Sequence, residues 1–478
     1  MEYKDKTFFR DLLDESPVIK KLNLSGKYYE RFLELLTIEY LVKNTPIFVN
    51  SKYEKSDNAY FKLLIVSLGA LLSILLWPFY NRKIKVKEKD MQHIVFVSFA
   101  DYIVRHKHVF SLLEEPVSVL YPPVFHYGKL DNHIKHFNSI GKPIHIGCFH
   151  LLDWISASIY CFKNIGALLA FSRKIDEHFG TSGNKFLVVY YQALVYSLYF
   201  KRLLKKLDRG KRVWFLDYDL DCKYIVLNQL IHENRDNDVS VHMQHGIFHV
   251  ANCAYSDNVS DYDCCCSERE KQIIINGNNH FGSTVVVQGC PLQSLQKSPQ
   301  HITKTNKVLV LLTATDMEET YQMQVKLLEI LHDLCNDTLL RFRPASRYID
   351  EDRLKPYTVG FKISNGTTLE EDVYSSECVI SFSEDSVFSC FRSNTRVVLF
   401  VPEAMRKVYK AADGESKNMM VCSEESLNVE QIYKFIQNQE PCDYFHDDVV
   451  LYDFGIFDFE SYKSRFRSNL KNIVNASF

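Results

Sequence analysis

Val239–Val250 reads VSVHMQHGIFHV. Val239, Val241 and Met243 recur at every second position, the period of a strand, and the run stops abruptly at Gln244-His245-Gly246. A buried strand of a parallel sheet ends in this way when its C-terminal tip carries chemistry. Glycine lets the backbone turn sharply and lets a ligand approach closely. Histidine takes or holds a proton near neutral pH. In open α/β sheets, ligands bind beyond the carboxyl ends of the strands. His245 is therefore the first candidate for a catalytic group, with Gln244 and Gly246 on the acceptor side of the same site. A solvated surface loop would read the same over three residues, so the weight falls on whether the pattern recurs.

It recurs in both directions. Met91–Ala100 (MQHIVFVSFA) is a β-branched run that ends at Ser98, with Asp101 just beyond; both are acceptor-side candidates. Pro143–Phe149 (PIHIGCF) reads as a strand and Leu151–Tyr160 as a helix. Phe186–Leu207 is a long aromatic helix with a basic end. Arg212–Leu216 (RVWFL) is a strand whose tip carries Asp217 and Asp219, alternatives to His245 as a base or caps of the next helix. Lys223–Asn234 is helix-like. Asp263–Ser267 and Thr284–Gln288 are short strands around the helix Glu268–Asn276. Alternation of this kind argues a parallel sheet with helices on both faces.

Gln293–Asn306 (QSLQKSPQHITKTN) is polar and aperiodic, and reads as a linker at 293–306. The pattern then restarts. Lys307–Leu312 is a strand ending at Thr313 and Thr315, and Glu318–Leu334 is an amphipathic helix. Leu339–Phe342 runs into Arg343-Pro344-Ala345-Ser346-Arg347. Cys378–Phe382 ends at Ser383, Glu384, Asp385 and Ser386, and Arg396–Val401 is a further strand. Residues 430–478 read as helical. The expected organisation is a helical extension at 1–90, an N-terminal Rossmann-like half at 91–292, the linker, and a C-terminal Rossmann-like half with terminal helices at 307–478.

Composition bounds the function. The chain has 478 residues, 46% hydrophobic and 13% aromatic, enough for two or more packed cores. Its 57 basic and 59 acidic residues leave a net charge of −2, so no basic excess points to nucleic acid. Thirteen cysteines without a CxxC pair suit a reducing compartment. In Cys264-Cys265-Cys266, neighbouring side chains alternate sides of a strand, which suits a structural strand better than tetrahedral zinc.

Leu63–Tyr80 (LLIVSLGALLSILLWPFY) carries no charge. Lys62 precedes it, and Arg82, Lys83, Lys85, Lys87 and Lys89 follow. The segment has the length of a short span, but a helix lying in the cytoplasmic leaflet explains the same facts, with the basic cluster facing anionic lipid. A buried core helix is the structural alternative. Met1–Asp14 is charged and has no apolar run, so no secretory signal is expected at the start. The expected location is cytoplasmic, with peripheral or monotopic association with an inner membrane.

The order of these elements resembles bacterial GT-B glycosyltransferases of surface polysaccharide (capsule or O-antigen) biosynthesis. MQHGIF at 243–248 resembles their QHG element, and SDYDCCCSEREKQIII at 260–275 the strand and helix that follow it. VVVQGCP at 285–291 is similar to the strand that closes the first half. KVLVLLTATD at 307–316 is similar to the strand that opens the second. RFRPASR at 341–347 stands where the His-Pro loop stands, and 379–402 resembles the Ser-rich donor-phosphate loop. The resemblance covers about 240–405 and extends to polysialyltransferase-like enzymes, Kdo transferases, CDP-glycerol glycerophosphotransferases and nucleotide-sugar 2-epimerases.

It implies an α/β GT-B fold, with two Rossmann-like domains facing a cleft, and transfer of a sugar from a nucleotide-activated donor to a lipid-linked acceptor. His245 would be the base. Thr313, Thr315, Arg343, Arg347, Ser383 and Ser386 would hold the nucleotide and its phosphates. No cofactor and no metal are required. One departure is Arg343 in place of the histidine of His-Pro. Arginine cannot carry a proton but can fork onto a phosphate. Glu384 and Asp385 are awkward beside a phosphate. Two further readings stay open: a phosphotransferase using a CDP-polyol, and a catalytically silent GT-B-like subunit that scaffolds a polysaccharide assembly complex.

Overall fold

A computed structural model describes residues 63–65, 67–72, 74–75, 90–97, 116–123, 144–179, 186–207, 210–216, 222–234, 238–244, 260–276, 282–290, 304–312, 318–334, 337–342, 351–382, 384–401, 416–423, 428–438 and 440–477. Two parallel sheets organise them. The first has seven strands: β1 (Ile94–Val97), β2 (Val117–Tyr121), β3 (Ile144–Ile146), β4 (Val213–Leu216), β5 (Val239–Met243), β6 (Tyr262–Cys265) and β7 (Thr284–Val287), in the order β3-β2-β1-β4-β5-β6-β7. The second has six: β8 (Asn306–Leu312), β9 (Thr338–Phe342), β10 (Lys362–Ile363), β11 (Ser376–Ser381), β12 (Arg396–Phe400) and β13 (Met419–Cys422), in the order β10-β9-β8-β11-β12-β13. Every pairing in both sheets is parallel.

The strands are short apolar runs because both faces are covered. In the first sheet, Val95, Val97, Leu120, Trp214 and Leu216 face a core built by four helices: α1 (Leu151–Lys163), α2 (Ile165–Phe179), α3 (Phe186–Lys206) and α4 (Cys222–Asn234). Ile94, Phe96, Val119, Phe215 and Val241 face the opposite core, where Phe96 stacks on Phe215 with ring centroids 4.6 Å apart. α3 is buried over most of its surface up to its basic end, which explains its aromatic content. In the second sheet, Val308, Val310 and Leu312 pack under α6 (Glu318–Leu334). α5 (Glu268–Asn276) precedes it in the chain and covers the edge of the first sheet through Ile274. Leu309 and Leu311 face the other way, toward Phe388 and Phe391.

The chain returns to the first sheet at its C-terminus. After α7 (Leu369–Tyr374), α8 (Glu384–Ser393), α9 (Val429–Gln437) and α10 (Asp448–Phe454), the helix α11 (Phe459–Ser477) lays Tyr462, Phe466, Leu470 and Ile473 on the face of Phe96 and Phe215. The sequence reading grouped this helix with the second half; it falls instead on the first sheet. The reason is its apolar stripe at helical spacing, which covers a sheet face that helices α1–α4 leave open. Gln288 donates to the Tyr462 hydroxyl at 3.4 Å, and Asn469 to the Val287 carbonyl at 3.1 Å, which fixes the return path.

Of the three consecutive cysteines, Cys264 and Cys265 lie in β6 and face opposite ways, whereas Cys266, expected in the strand, falls just past its end. Cys264 joins the core under α11, Cys265 the core under α5, and Cys266 the core of the second sheet. Burial raises the thiol pKa of Cys264 and Cys265, and for Cys266 the hydrogen bond with the Cys290 thiol raises it first and burial adds to that. The apolar segment is helical over its described residues from Leu63 to Leu75. Among the described residues no single helix is long and apolar enough to cross a membrane; α1 and α2 pass that test only as a pair bent by 75° at Asn164.

Candidate active site

Each sheet has one place where the strand order reverses. In the first sheet it lies between β1 and β4, whose last residues Val97 and Leu216 are register partners. In the second it lies between β8 and β11, with Leu311 opposite Ser381. Crossover connections leave such a point in opposite directions, and the gap between them is where an α/β sheet binds its ligand. The order of the second sheet is that of a dinucleotide-binding fold.

The candidates from sequence follow these strand ends along the chain. Ser98 comes directly after β1, Asp217 after β4, Thr313 after β8 and Arg343 after β9. Ser383 follows β11 by two positions, as His245 follows β5. Ser98, Asp101, Asp217, Asp219, His245, Gly246, Thr313, Thr315, Arg343, Arg347 and Ser383 themselves lie outside the described residues, as does the linker at 293–303. What the structure places is the set of strands that deliver them: β1, β4 and β5 are side by side in one sheet, and β9, β8 and β11 in the other.

Gln244 is the described member of the QHG element, and its side chain is committed inward. Its Oε1 accepts from the Cys266 N–H at 2.9 Å, and its Nε2 donates to Glu270 Oε1 at 2.7 Å. Glu270 in turn accepts from the backbone N–H of Cys266 and Ser267 at 3.0 and 3.1 Å, while Ser267 Oγ accepts from the Glu270 N–H at 3.2 Å. This is a capping box at the start of α5, signalled in sequence by Ser267-x-x-Glu270. With its amide used at both ends, Gln244 ties the tip of β5 to the tip of β6. It positions the chain that leads into His245, a role that the acceptor-side assignment from sequence missed.

Beneath that tip lies a second polar pair, which sequence reasoning also missed. His242 and Asp263 are register partners on β5 and β6, and His242 Nδ1 donates to Asp263 Oδ1 at 2.8 Å; the residues are 3% and 2% exposed. A carboxylate with so little water needs such a partner, and the bond fixes which ring nitrogen carries the proton. One signal was available. His242 and Asp263 interrupt mostly apolar runs, where a buried polar residue must find a mate on the neighbouring strand.

In the second half the structure describes one of the two arginines of RFRP, Arg341. Arg341, still within β9, gives Nη1 to Asp372 Oδ2 at 2.5 Å and to Ser364 Oγ at 3.1 Å. Thr367 Oγ1 donates to Asp372 Oδ1 at 2.6 Å and completes the cluster. Arg341 is therefore structural. α8 begins at Glu384, immediately after Ser383. This puts Glu384 and Asp385 in its first turn, where acidic residues are favoured by the helix dipole. Ser386 lies in the same turn; its side chain is outside the described set.

The two halves meet around one glycine. Gly455 ends α10 in the left-handed region at φ 61°, and its carbonyl accepts from the Cys290 N–H at 3.0 Å. Next to it, Asp453 is raised by burial from 3.8 to about 6, with the buried Arg269 guanidinium pulling the other way.

No family model matches the sequence, and no curated protein matches it. Solved structures are similar in fold. A glycotransferase of kitacinnamycin shares 9% identity over 81% of this chain and 99% of its own, with a TM-score of 0.43. A UDP-N-acetylglucosamine 2-epimerase from Listeria monocytogenes shares 12% identity over 81% of this chain and 97% of its own, with a TM-score of 0.45. The S. aureus MnaA–UDP co-structure shares 10% identity over 80% of this chain and 97% of its own, again with a TM-score of 0.45. The fold itself, two parallel α/β sheets with helices, matches the two-domain GT-B-like layout that the sequence resemblance implied.

Proposed function

We propose that this chain is a GT-B glycosyltransferase that moves a sugar from a nucleotide-activated donor to a lipid-linked surface polysaccharide acceptor, at the cytoplasmic leaflet of a membrane. The observation that carries this reading is topological. In both sheets the candidate residues follow strands at or next to the switch point: Ser98 and Asp217 flank it in the first sheet with His245 one strand further, and Thr313 and Ser383 flank it in the second with Arg343 one strand further.

The residues divide by charge. On the acceptor half, His245 takes the proton from the acceptor hydroxyl as its oxygen forms a bond to the sugar C1, and the bond from C1 to the phosphate oxygen breaks. The electron pair leaves with the nucleotide. On the donor half, Arg343 and Arg347, the Thr313 and Ser383 hydroxyls, and the N-terminus of α8 offset the charge that develops on that leaving group. This assignment calls for no metal and no cofactor.

The test is a thermal-shift screen against CMP, CDP, UDP, GDP and their sugar conjugates. A ligand present at about 100 times its Kd adds about 2.7 kcal/mol of apparent stability. One nucleotide should raise the melting temperature, and Arg343→Ala should remove most of that shift. A folded protein that responds to none of them overturns the transferase reading in favour of a silent scaffold. A response to a CDP-polyol, with none to a nucleotide-sugar, reassigns the chemistry to phosphotransfer.

A further inference from the structure

Fourteen large hydrophobic residues are exposed among the described residues, and nine of them lie on two neighbouring helices. On the segment that starts at Leu63, the residues Leu64, Leu68, Leu72 and Leu75 point outward, each about half exposed, at the spacing of one helical face. On α1 the outward residues are Leu151, Leu152, Ile159 and Phe162, with Leu152 63% exposed.

The two helices are joined side by side. The Trp154 indole donates to the Ser67 carbonyl at 2.8 Å and to its hydroxyl at 3.1 Å. Tyr191 of α3 reaches the same hydroxyl at 3.3 Å and Ser158 of α1 at 3.2 Å. Leu63 and Ala70 on one helix, and Ala157 and Cys161 on the other, enter a single core. Because both helices bury their inner faces in that core, their outer faces lie on one side of the molecule.

Charge identifies the occupant. Asp153, the one acidic residue of α1, is turned inward to Arg202 at 2.8 Å. The exposed ionisable side chains of α1 and α2 are Lys163, Arg173, Lys174, Glu177 and His178, a set with more basic than acidic groups. In sequence, Lys62 precedes the first helix and a basic run from Arg82 to Lys89 follows it. A contiguous apolar face on helices with more basic than acidic exposed groups fits the interface of an anionic bilayer.

We propose that α1 is the second half of a compound membrane-docking surface: the helix from Leu63 and the helix Leu151–Lys163 lie together in an anionic leaflet. The proposal rests on the membrane-based transferase reading and gives it an orientation. α1 starts five residues beyond the end of β3, so its Leu151–Leu152 end sits at the carboxyl edge of the first sheet. Docking through this face brings the acceptor half to the lipid surface, as a lipid-linked acceptor requires.

The test uses the full chain and vesicles of phosphatidylcholine with and without phosphatidylglycerol. Wild type should sediment with the anionic vesicles and far less with the neutral ones; equal binding to both overturns the charge argument. The pair Leu152→Glu/Phe162→Glu, with the 63–80 segment intact, should bind anionic vesicles at least about tenfold more weakly. The pair Leu152→Met/Phe162→Leu should bind like wild type. Unchanged binding of the charged pair overturns the role of α1. A dimer in solution that the charged pair splits, without change in vesicle binding, overturns it in favour of a second copy.

If the charged pair fails to fold by circular dichroism, Phe162→Trp serves in its place. Brominated phosphatidylcholine should quench the added emission; an unquenched signal overturns the proposal. The nucleotide-induced thermal shift, measured on the same variants, should be retained. Its presence without vesicle binding separates failure of the docking surface from failure of the transferase reading.

Discussion

Replacing Gly455 by alanine tests how the two sheets are held together. Gly455 sits at φ 61°, and a Cβ there would overlap the Cys266 carbonyl oxygen and come within 2.5 Å of its carbonyl carbon. The left-handed backbone alone costs a residue with a side chain roughly 1–2 kcal/mol. The obstacle is backbone, and Cys266, Phe454 and Ile456 around it are buried in one core, so relief requires moving the α10 end away from the β6 tip. Overpacking of that kind costs about 1–3 kcal/mol. The shift also weakens the Cys290–Gly455 hydrogen bond, worth about 1 kcal/mol. The expected loss is therefore roughly 3–6 kcal/mol.

Gly366 supplies the control. It has φ 79° and nothing within 4 Å of its Cβ position, so Gly366→Ala should lose only the conformational part, about 1–2 kcal/mol. Urea unfolding of both variants, followed by far-UV circular dichroism, measures the difference. Equal losses would show that the contact at Cys266 does not constrain the junction, and would refute the reasoning.

Two further outcomes are expected. Asp453 is raised by burial from 3.8 to about 6, so the folded state holds its proton more tightly than the unfolded chain, and wild-type stability falls as pH rises between those values. The full effect is about 3 kcal/mol, of which roughly 1 kcal/mol falls between about pH 5 and pH 7; Asp453→Asn should gain that much on wild type over this range, and a pH-independent offset in urea midpoints would refute it. His245→Ala should lower nucleotide release in the presence of acceptor by at least about 10²-fold while leaving the urea midpoint unchanged; near-normal turnover would remove His245 as the base.

The candidate site was legible to the extent that strand ends are. QHG, the Thr-rich turn at 313–315 and the loop at 383–386 each follow an apolar run, and those runs form β5, β8 and β11. Other elements were not legible. Val117–Tyr121 is a strand squeezed between Pro116 and Pro122, and Met419–Cys422 is only four residues long; neither carries a period that separates strand from loop. Ile165–Phe179 continues the apolar character of α1 and emerges as a separate helix only through the 75° bend. The inward use of the Gln244 amide was hidden as well, because its partner Glu270 lies 26 residues away on another element.

By itself, the sequence determined the class of the fold: short apolar runs alternating with helices, restarted after a polar linker, force two covered parallel sheets. Strand order, and with it the switch points that give the candidate residues a common place, was decided by the tertiary structure, since period-2 runs state which face is buried but not which neighbour pairs. Where α11 lies was decided in the same way. Its stripe of Tyr462, Phe466, Leu470 and Ile473 specifies an apolar surface to cover, and the assembled first sheet offers one on the face opposite α1–α4. The outward faces of Leu63–Leu72 and α1 show the converse: their sequences are apolar enough for burial, yet packing against α3 uses one side of each and leaves the other exposed.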